Sequence, residues 1–370
     1  MLQLINRARA NPKAEASRLG IDLNQGLARG SISTAAKPPL SFHPNLIKSA
    51  RGHSRWMLDN DVFSHTGVGN SDSGQRMAAA GYVFSGVWNR AENIGSSRTP
   101  GLIDLDLEAS ARHDSLFLSP DHRTSLCNPA LKNIGLGILA GRFLGLNASM
   151  VTQNMAFSAS YPETLLTGVV FIDKDGDDFY DIGEGVPGVT VVTEGSGWTA
   201  VTSASGGYAV PYVGTSGQLD VTFNGGPLSK SKTLTIGKTG NNLEMNLRIP
   251  PVPEITVRQL DGAGLTDGKS KISFGSISTE SSGRSKTLVI KNTGSARLTG
   301  LRVTKTGTHA KDFSVSPLAT SSLAAGKSTT FKVTFKPSAK GTRSAEIHIG
   351  SNDSDEDPFD IKLTGLGATP

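Results

Sequence analysis

The densest group of chemically active side chains in the sequence is an acidic segment, DKDGDDFYDIGE, at residues 173–184. Its oxygen donors recur at the intervals that wrap Ca²⁺ in a twelve-residue loop, in which positions 1, 3, 5, 9 and 12 supply side chains and position 7 a backbone carbonyl. Those positions are Asp173, Asp175, Asp177, Asp181 and Glu184, with Phe179 at the carbonyl position. Position 6, where glycine is usual, is Asp178. The alternative is a solvated acidic turn, but the regular spacing favours a structural calcium site.

Histidines form the second group, since five of the seven lie within the first 125 residues. Imidazole can bind metals and transfer protons near neutral pH, so this clustering indicates a site. His65 in DVFSHTG, His122 in SPDHR and Glu92 in RAENIG each stand at a predicted turn of the chain, as expected for a cleft built from loops. His53 and His113 fall on apolar helical faces, which favours core or supporting positions.

Two imidazoles and one carboxylate can support only a limited chemistry. They can bind zinc with one position open for water, which permits hydrolysis, or they can line a ligand cleft without catalysis. Glu108, on the predicted helix after Pro100, is the nearest candidate for a second acid. No Ser or Cys nucleophile stands beside a recognisable base, and no HExxH pair is present. The sequence therefore favours binding over turnover.

The helices and strands that must position these residues follow different sequence patterns in different parts of the chain. Up to about residue 160 the pattern mixes helices with strands such as NIGLGIL, and from residue 166 it becomes one of alternating short strands. The proline-rich IPPVPE indicates a linker. We therefore predict a mixed α/β domain at 1–163, a β-sandwich at 166–248, a linker at 249–254 and an Ig-like β-sandwich at 255–367.

The first region resembles the CAP superfamily, which is named for cysteine-rich secretory, antigen 5 and pathogenesis-related proteins. The resemblance rests on LINRARANP, HSRWM, FSHTG, RMAAAGY, AENIG, SPDHR and NIGLGI in that order, and it covers residues 1 to about 160. It implies an α-β-α sandwich with a central cleft, in which His65 and Glu92 match the first histidine and the acid. The family's second histidine is missing before VTQNM. Members are mostly secreted binding proteins, some of them for sterols and other lipids.

The other two regions resemble modules of bacterial surface proteins. TGVVFIDKDGDDFYDIGEGVPGVTV with GGYAVPYV is similar to the SdrD B-like and Cna B-like repeats, in which a calcium loop joins the first two strands of a sandwich. LVIKNTGSARL, LAAGKSTTFKVTFKP and SNDSDEDPFDIKLTGLG resemble the Ig-like domain of choice-of-anchor proteins, which is related to the ASH family. Both resemblances imply spacer or interaction modules.

The composition of the chain argues against several classes of protein. The net charge of +5 comes from dispersed basic residues without interleaved aromatics, which argues against nucleic acid binding. The single cysteine, Cys127, excludes an intramolecular disulfide, and no apolar run approaches the ~20 residues of a membrane span. The first residues follow a helical pattern rather than that of a signal peptide, so we expect either a cytosolic protein or one whose leader lies outside this sequence, and we expect no C-terminal anchor within it.

From these observations we expect a monomeric extracellular or cell-surface protein of bacterial type. Its cleft would bind a ligand, such as lipid or cell-envelope material, and could hold Zn²⁺, while structural Ca²⁺ would stiffen the sandwich that displays the cleft. Two alternatives remain open: a zinc-dependent hydrolase that uses the same cleft, and an adhesin in which the cleft is vestigial.

Overall fold

A computed structural model describes residues 1–228 and 230–369. The chain divides into two compact units. The first consists of Met1–Phe171 together with Asp178–Arg248, and the second begins at Ile249 and also takes in Ile172–Asp177. No helix among the described residues is both long and apolar enough to cross a membrane.

The N-terminal region of the first unit is mixed α/β. Its elements are α1 (Leu2–Ala10), α2 (Pro12–Arg18), β1 (Ser41–Phe42), α3 (Pro44–Asp59), α4 (Ser73–Ala79), β2 (Trp88–Thr99), α5 (Leu105–Leu118), α6 (Pro120–Leu126), β3 (Asn133–Phe143) and β4 (Leu146–Ser158), with a 3₁₀ turn at Val68–Asn70. Local sequence explains several of the helix starts. Asp72 and Gln75 form a reciprocal capping box at α4, and the Asp104 carboxylate accepts from two backbone N–H groups at the start of α5.

The strands of this region form one sheet in the order β1-β3-β4-β2, which leaves β2 at an edge. Helices cover both faces. Met57 and Leu58 of α3 pack with Met150 of β4 on one face, and Phe117 of α5 packs with Met155 on the other. Because neighbouring residues of a strand point to opposite faces, residue parity decides which helix layer a side chain meets.

Glycine in β3 allows α3 to lie directly on the sheet. A Cβ built on Gly135 would come within 1.9 Å of the Leu46 carbonyl carbon, so no larger residue fits. Ser54 of α3 then reaches the strand beside β3, where its hydroxyl lies 2.8 Å from the Thr152 hydroxyl. The glycines of NIGLGIL thus set how close α3 lies to the strands.

The remainder of the first unit is a β-sandwich. Its strands are β5 (Thr164–Ile172), β6 (Val189–Thr193), β7 (Thr199–Val201), β8 (Gly207–Tyr212), β9 (Gln218–Gly225), β10 (Lys232–Gly237), β11 (Leu243–Glu244) and β12 (Leu247–Ile249). One sheet has the order β10-β9-β6-β7, and the other joins β8, β11 and β12 around β5. Tyr208 and Phe223 meet edge to face at 5.8 Å and link the two sheets through a shared core.

This sandwich also contacts the N-terminal region within the first unit. Asn242 donates to the Lys132 carbonyl at 2.8 Å, and the Arg7 guanidinium lies 4.8 Å from the centre of the Phe179 ring. Burial raises the pKa of Glu244 to about 7, although Gln3, Asn246 and Asn6 all hydrogen-bond to its side chain. The boundary near residue 166 stays a prediction, because one compact unit holds both regions.

The second unit is a sandwich of two four-stranded sheets. Its strands are β13 (Ile255–Gln259), β14 (Lys271–Ser278), β15 (Arg284–Asn292), β16 (Arg302–Thr306), β17 (Phe313–Val315), β18 (Ser328–Phe335), β19 (Gly341–Gly350) and β20 (Phe359–Ala368). The sheet orders are β13-β15-β18-β17 and β14-β20-β19-β16. Phe274, Phe313 and Phe335 pack together in its core. The predicted fold class, an α-β-α domain followed by all-β Ig-like sandwiches, is confirmed.

Candidate functional site

An open cleft lies beside the edge strand β2, on the face of the sheet that carries α3 and α4. Trp88, Arg90 and Glu92 follow one another at two-residue intervals along β2 and therefore point to this face. The segment between α3 and α4 brings His65 to the same place. The cleft has a volume of about 510 Å³, and its lining includes these four side chains.

Glu92 is the centre of a hydrogen-bond network at the base of the cleft. Arg76 of α4 donates to its two carboxylate oxygens at 2.8 and 2.6 Å, and the His65 Nδ1 lies 2.9 Å from Oε1. With its amide nitrogen turned toward the acid, Asn154 donates to Oε2 at 2.9 Å and accepts from Ser49. The Glu92 side chain is only 3% exposed. Each oxygen of this buried carboxylate therefore accepts two hydrogen bonds.

The network also sets the protonation of Glu92. Burial by itself raises the pKa of Glu92, but hydrogen bonds from His65 and Arg76, together with the Arg76 charge, hold it below the ordinary value. The acid is therefore ionised at neutral pH. Arg76 also donates to the backbone carbonyls of His65 and Ser71 at 2.9 and 2.7 Å, which anchors the loop that carries His65.

His65 presents one edge of its ring to solvent. Its side chain is 56% exposed, and Nδ1 is taken by Glu92. In the neutral form, an N–H on Nδ1 that donates to the carboxylate leaves Nε2 as an acceptor that faces the cleft. Among the described residues, no side chain or backbone group is hydrogen-bonded to Nε2, so this nitrogen is the one a ligand can reach.

His53 and His113 are supporting residues in the folded chain, as their helical positions predict. His53 is 2% exposed and its Nε2 meets the Ser64 carbonyl at 2.9 Å. His113 is fully buried, with Nε2 3.0 Å from a Glu15 oxygen. Burial lowers the pKa of both imidazoles.

His122 belongs to the other layer of the domain. It lies in α6, half-buried, and its backbone carbonyl accepts from Asn93, which points to the opposite face of β2 from Glu92. Burial, with a smaller contribution from the His65 charge, lowers the pKa of His122. Within the described part of the chain, the sets of metal-binding side chains whose ligand atoms converge within 4.8 Å do not include His65, Glu92 and His122 together.

Glu108, the predicted second acid, also lies on the α5 and α6 side. Its carboxylate accepts from Ser97 at 2.6 Å and from Ser149, and Arg112 approaches it to 3.2 Å. Burial alone raises the pKa of Glu108, but the two serine hydrogen bonds and the Arg112 charge lower it overall. In the structure, His65 is therefore hydrogen-bonded to Glu92, whereas Glu108 is hydrogen-bonded to Ser97 and Ser149.

Sequence reasoning missed Arg76, Trp88 and Arg90. A signal for Arg76 was present, because a lone arginine on the inner face of the short helix RMAAAG needs a buried partner. Trp88 and Arg90 could have been found from their two-residue spacing to Glu92, since alternation along a strand places all three on one face.

The acidic segment forms a closed loop between β5 and β6. An antiparallel bridge between Phe171 and Gly185 joins its two ends, and the Val186 N–H donates to the Val170 carbonyl at 2.9 Å. Asp173 and Glu184, at the first and last ligand positions, are 1% and 5% exposed. Buried carboxylates can be met by a cation or by several donors, so calcium binding by this segment stays a prediction.

Local turns shape this loop. The Gly176 N–H donates to Asp173 Oδ1 at 2.7 Å, and the Asp181 N–H donates to Glu184 Oε2 at 2.9 Å. Asp178 adopts a left-handed backbone, with φ of 63°. Aspartate tolerates that conformation better than most residues, which explains how it can stand where glycine is usual.

Two family models match parts of the chain. Residues 2–145 match CAP, the cysteine-rich secretory protein family, and residues 266–357 match ASH, described as abnormal spindle-like microcephaly-associated, ASPM-SPD-2-Hydin. The chain therefore carries an N-terminal CAP domain and an ASH domain near its C-terminus. No curated protein matches it.

Several solved structures are similar over part of the chain. An extracellular protein containing a SCP domain from Bacillus anthracis is 26% identical, with 32% of this chain and 34% of that chain covered and a TM-score of 0.25. A human ASH/PapD-like domain is 13% identical over 31% of this chain and 86% of that chain, with a TM-score of 0.24. An outer surface protein from Borrelia burgdorferi is 18% identical over 40% of this chain and 93% of that chain, with a TM-score of 0.24. The chain thus spans about a third of the SCP-domain protein's length.

Proposed function

We propose that this chain, with its CAP and ASH domains, is an extracellular binding protein whose CAP cleft holds a component of the cell envelope. One observation carries the proposal: the buried carboxylate of the cleft, Glu92, is saturated by Arg76, His65 and Asn154. A saturated acid orients its neighbours and leaves no lone pair for proton transfer. What the cleft offers to a ligand is a fixed imidazole edge in an open groove, which suits binding.

The β domains would display this cleft. The middle sandwich is the calcium-dependent part of the proposal, and its support is the ligand spacing in a closed loop with two buried terminal carboxylates. When bound, Ca²⁺ would take carboxylate oxygens of Asp173 and Glu184 as ligands. The ASH domain, with its own core of aliphatic and phenylalanine side chains, would serve as a spacer or interaction module.

The His65–Glu92 pair favours hydrolysis as a second candidate function. A carboxylate on Nδ1 holds an imidazole in the tautomer whose Nε2 can accept a proton from water. If the cleft held Zn²⁺, the ion would lower the pKa of that water. No Ser, Thr or Cys side chain in the described residues is hydrogen-bonded to His65, so water is the nucleophile that this candidate requires.

Depletion of the full-length chain from solution by an insoluble bacterial envelope fraction tests the proposal. We expect binding to weaken by about fivefold in His65→Ala, since one hydrogen bond to a ligand is lost. His309→Ala in the second unit is the matched control, because it removes another histidine far along the sequence, and it should bind like the unaltered chain. Equal binding by both variants, or no binding at all, overturns the proposal. Release of soluble fragments that disappears in His65→Ala would establish the hydrolase instead.

A further inference from the structure

The cleft contains an exposed aromatic platform. The Trp88 side chain is 50% exposed, and its ring meets the Phe84 ring at a centroid distance of 5.3 Å and an angle of 62°. This edge contact holds the indole in place while part of its surface remains open to solvent. A fixed, half-exposed tryptophan offers apolar contact area at a low cost in conformational entropy.

Polar groups continue from Trp88 along the same strand face. Arg90 follows at a distance along β2 of about 7 Å, and Glu92 with His65 follows after a further step of about 7 Å. Arg90 is held over the start of α4, where it donates to the Ser73 hydroxyl at 2.6 Å. A Cβ on Gly74 would lie 2.7 Å from Arg90 Nε, so this guanidinium position depends on the glycine.

The charges of the cleft are compensated within the protein. Arg76 is paired with Glu92, and Arg90 approaches Asp72 at 3.3 Å. A cleft of this kind presents hydrogen-bond donors and acceptors but no strong field of either sign, so it does not select a highly charged ligand. Ser73 and Thr66 add hydroxyl groups to its lining.

The lining also argues against an acyl chain or a sterol. Lipid pockets bury most of the ligand against apolar walls, whereas this cleft is open and, apart from Trp88 and Ala91, is lined by polar and charged side chains. A sugar ring combines an apolar C–H face with a rim of hydroxyls. Its weakly positive C–H groups suit the negative face of an indole, and its rim suits paired donors and acceptors.

We propose that the cleft binds an uncharged saccharide chain of the cell envelope, with one sugar ring stacked on Trp88. Hydroxyl or amide groups of the following units reach Arg90 and then, one step further along the cleft, the Nε2 of His65. This inference rests on the proposed function, because it names the class of ligand that the same cleft takes. It assigns recognition to Trp88, with Arg90 and His65 setting the position of the chain.

Calorimetric titration of the full chain with chitotetraose, a neutral oligomer of N-acetylglucosamine, tests this assignment. We expect Trp88→Ala to weaken binding by about tenfold or more, because the stacking surface is lost. Trp88→Phe, which keeps an aromatic face, should stay within about threefold of the unaltered chain. Trp198→Ala is the matched control, since Trp198 is 53% exposed and lies in the middle sandwich. It should leave the titration unchanged.

A parallel arm uses vesicles of phosphatidylglycerol and phosphatidylethanolamine, so that the two proposals can fail separately. Binding to vesicles but not to chitotetraose, with loss in His65→Ala, would overturn the saccharide assignment and leave the proposed function standing. Chitotetraose binding that is equal in Trp88→Ala and Trp198→Ala would overturn the stacking role. If the chain bound none of the three, neither the oligomer nor the vesicles nor the envelope fraction, both proposals would be overturned. Thermal unfolding of each variant confirms that it is folded.

Discussion

The cleft and the acidic loop use carboxylates in opposite ways. In the cleft, Glu92 is buried against an arginine that the protein itself supplies, and its pKa is held low. The loop at residues 173–184 has six acidic side chains and one lysine in twelve residues. A carboxylate with its own counter-charge positions neighbouring groups, whereas for the loop, with its excess of acidic side chains, we propose that the oxygens bind Ca²⁺ from solution.

Removal of the counter-charge in the cleft should have the largest effect. Arg76→Ala leaves Glu92 buried without its cation, and we expect the free energy of unfolding to fall by about 3–5 kcal/mol at pH 7. Urea denaturation measures this loss. Arg90→Ala, which removes a guanidinium paired with a mostly exposed acid, should cost only about 0–1 kcal/mol.

The pH dependence of these variants sharpens the comparison. In the unaltered chain the depressed pKa of Glu92 contributes stability above the unfolded value of about 4.3, and this contribution is lost as the pH falls. In Arg76→Ala, burial should raise the pKa of Glu92. The deficit in the free energy of unfolding, relative to the unaltered chain, should therefore shrink as the pH falls toward 5. A deficit that is constant from pH 5 to 8 would mean that the pair does not control this acid.

Calcium should have the next largest effect. In the full-length chain we expect millimolar Ca²⁺ to raise the melting temperature relative to EDTA, with a stabilisation of about 3 kcal/mol at a hundredfold excess over Kd. Asp173→Asn should abolish the calcium-dependent part. Asp178→Asn removes the same charge from a position that supplies no side-chain ligand, and it should keep that part. Identical thermal unfolding curves in calcium and in EDTA would contradict the proposed calcium site.

Glu244 is a third kind of carboxylate, because it is buried and its side-chain hydrogen bonds come from the amides of Gln3, Asn246 and Asn6. Its pKa is raised to about 7, so the folded state binds the proton more tightly and stability falls as the pH rises from about 4.3 to 7. Glu244→Gln should therefore stabilise the chain by about 2–3 kcal/mol at pH 8 and change little at pH 5. Differential scanning calorimetry at both pH values measures this, with the exposed Glu194→Gln as control.

Zinc should have the smallest effect. Glu92 is already saturated and His122 extends from the other layer, so we expect stoichiometric Zn²⁺ to shift the melting temperature by less than about 2 °C. Any binding should weaken as the pH falls, because zinc requires neutral imidazole ligands. A shift of several degrees that disappears in both His65→Ala and His122→Ala would show that the cleft recruits an ion despite its internal pairing.

Local signals in the sequence predicted a large part of this molecule. The order of α/β and all-β regions followed from helical and alternating periodicity, which depends on residues only a few positions apart. The linker at 249–254 stays a prediction; one of the boundaries between the two compact units lies between Arg248 and Ile249. The calcium loop stays a prediction, made from spacing alone because all of the proposed ligand positions fall within twelve residues.

The partners of the cleft could be decided only by tertiary structure. His65 and Glu92 were predicted, but Arg76 was not, because its pairing depends on how α4 packs against β2. Glu108 and His122 have the residue types of a site, yet the two-residue alternation of β2 and the placement of α5 and α6 put them in the other layer. Sequence determines which groups are present and which local turns they favour. Which groups face each other depends on the packing of elements distant along the chain, since that packing decides which buried charge receives a partner.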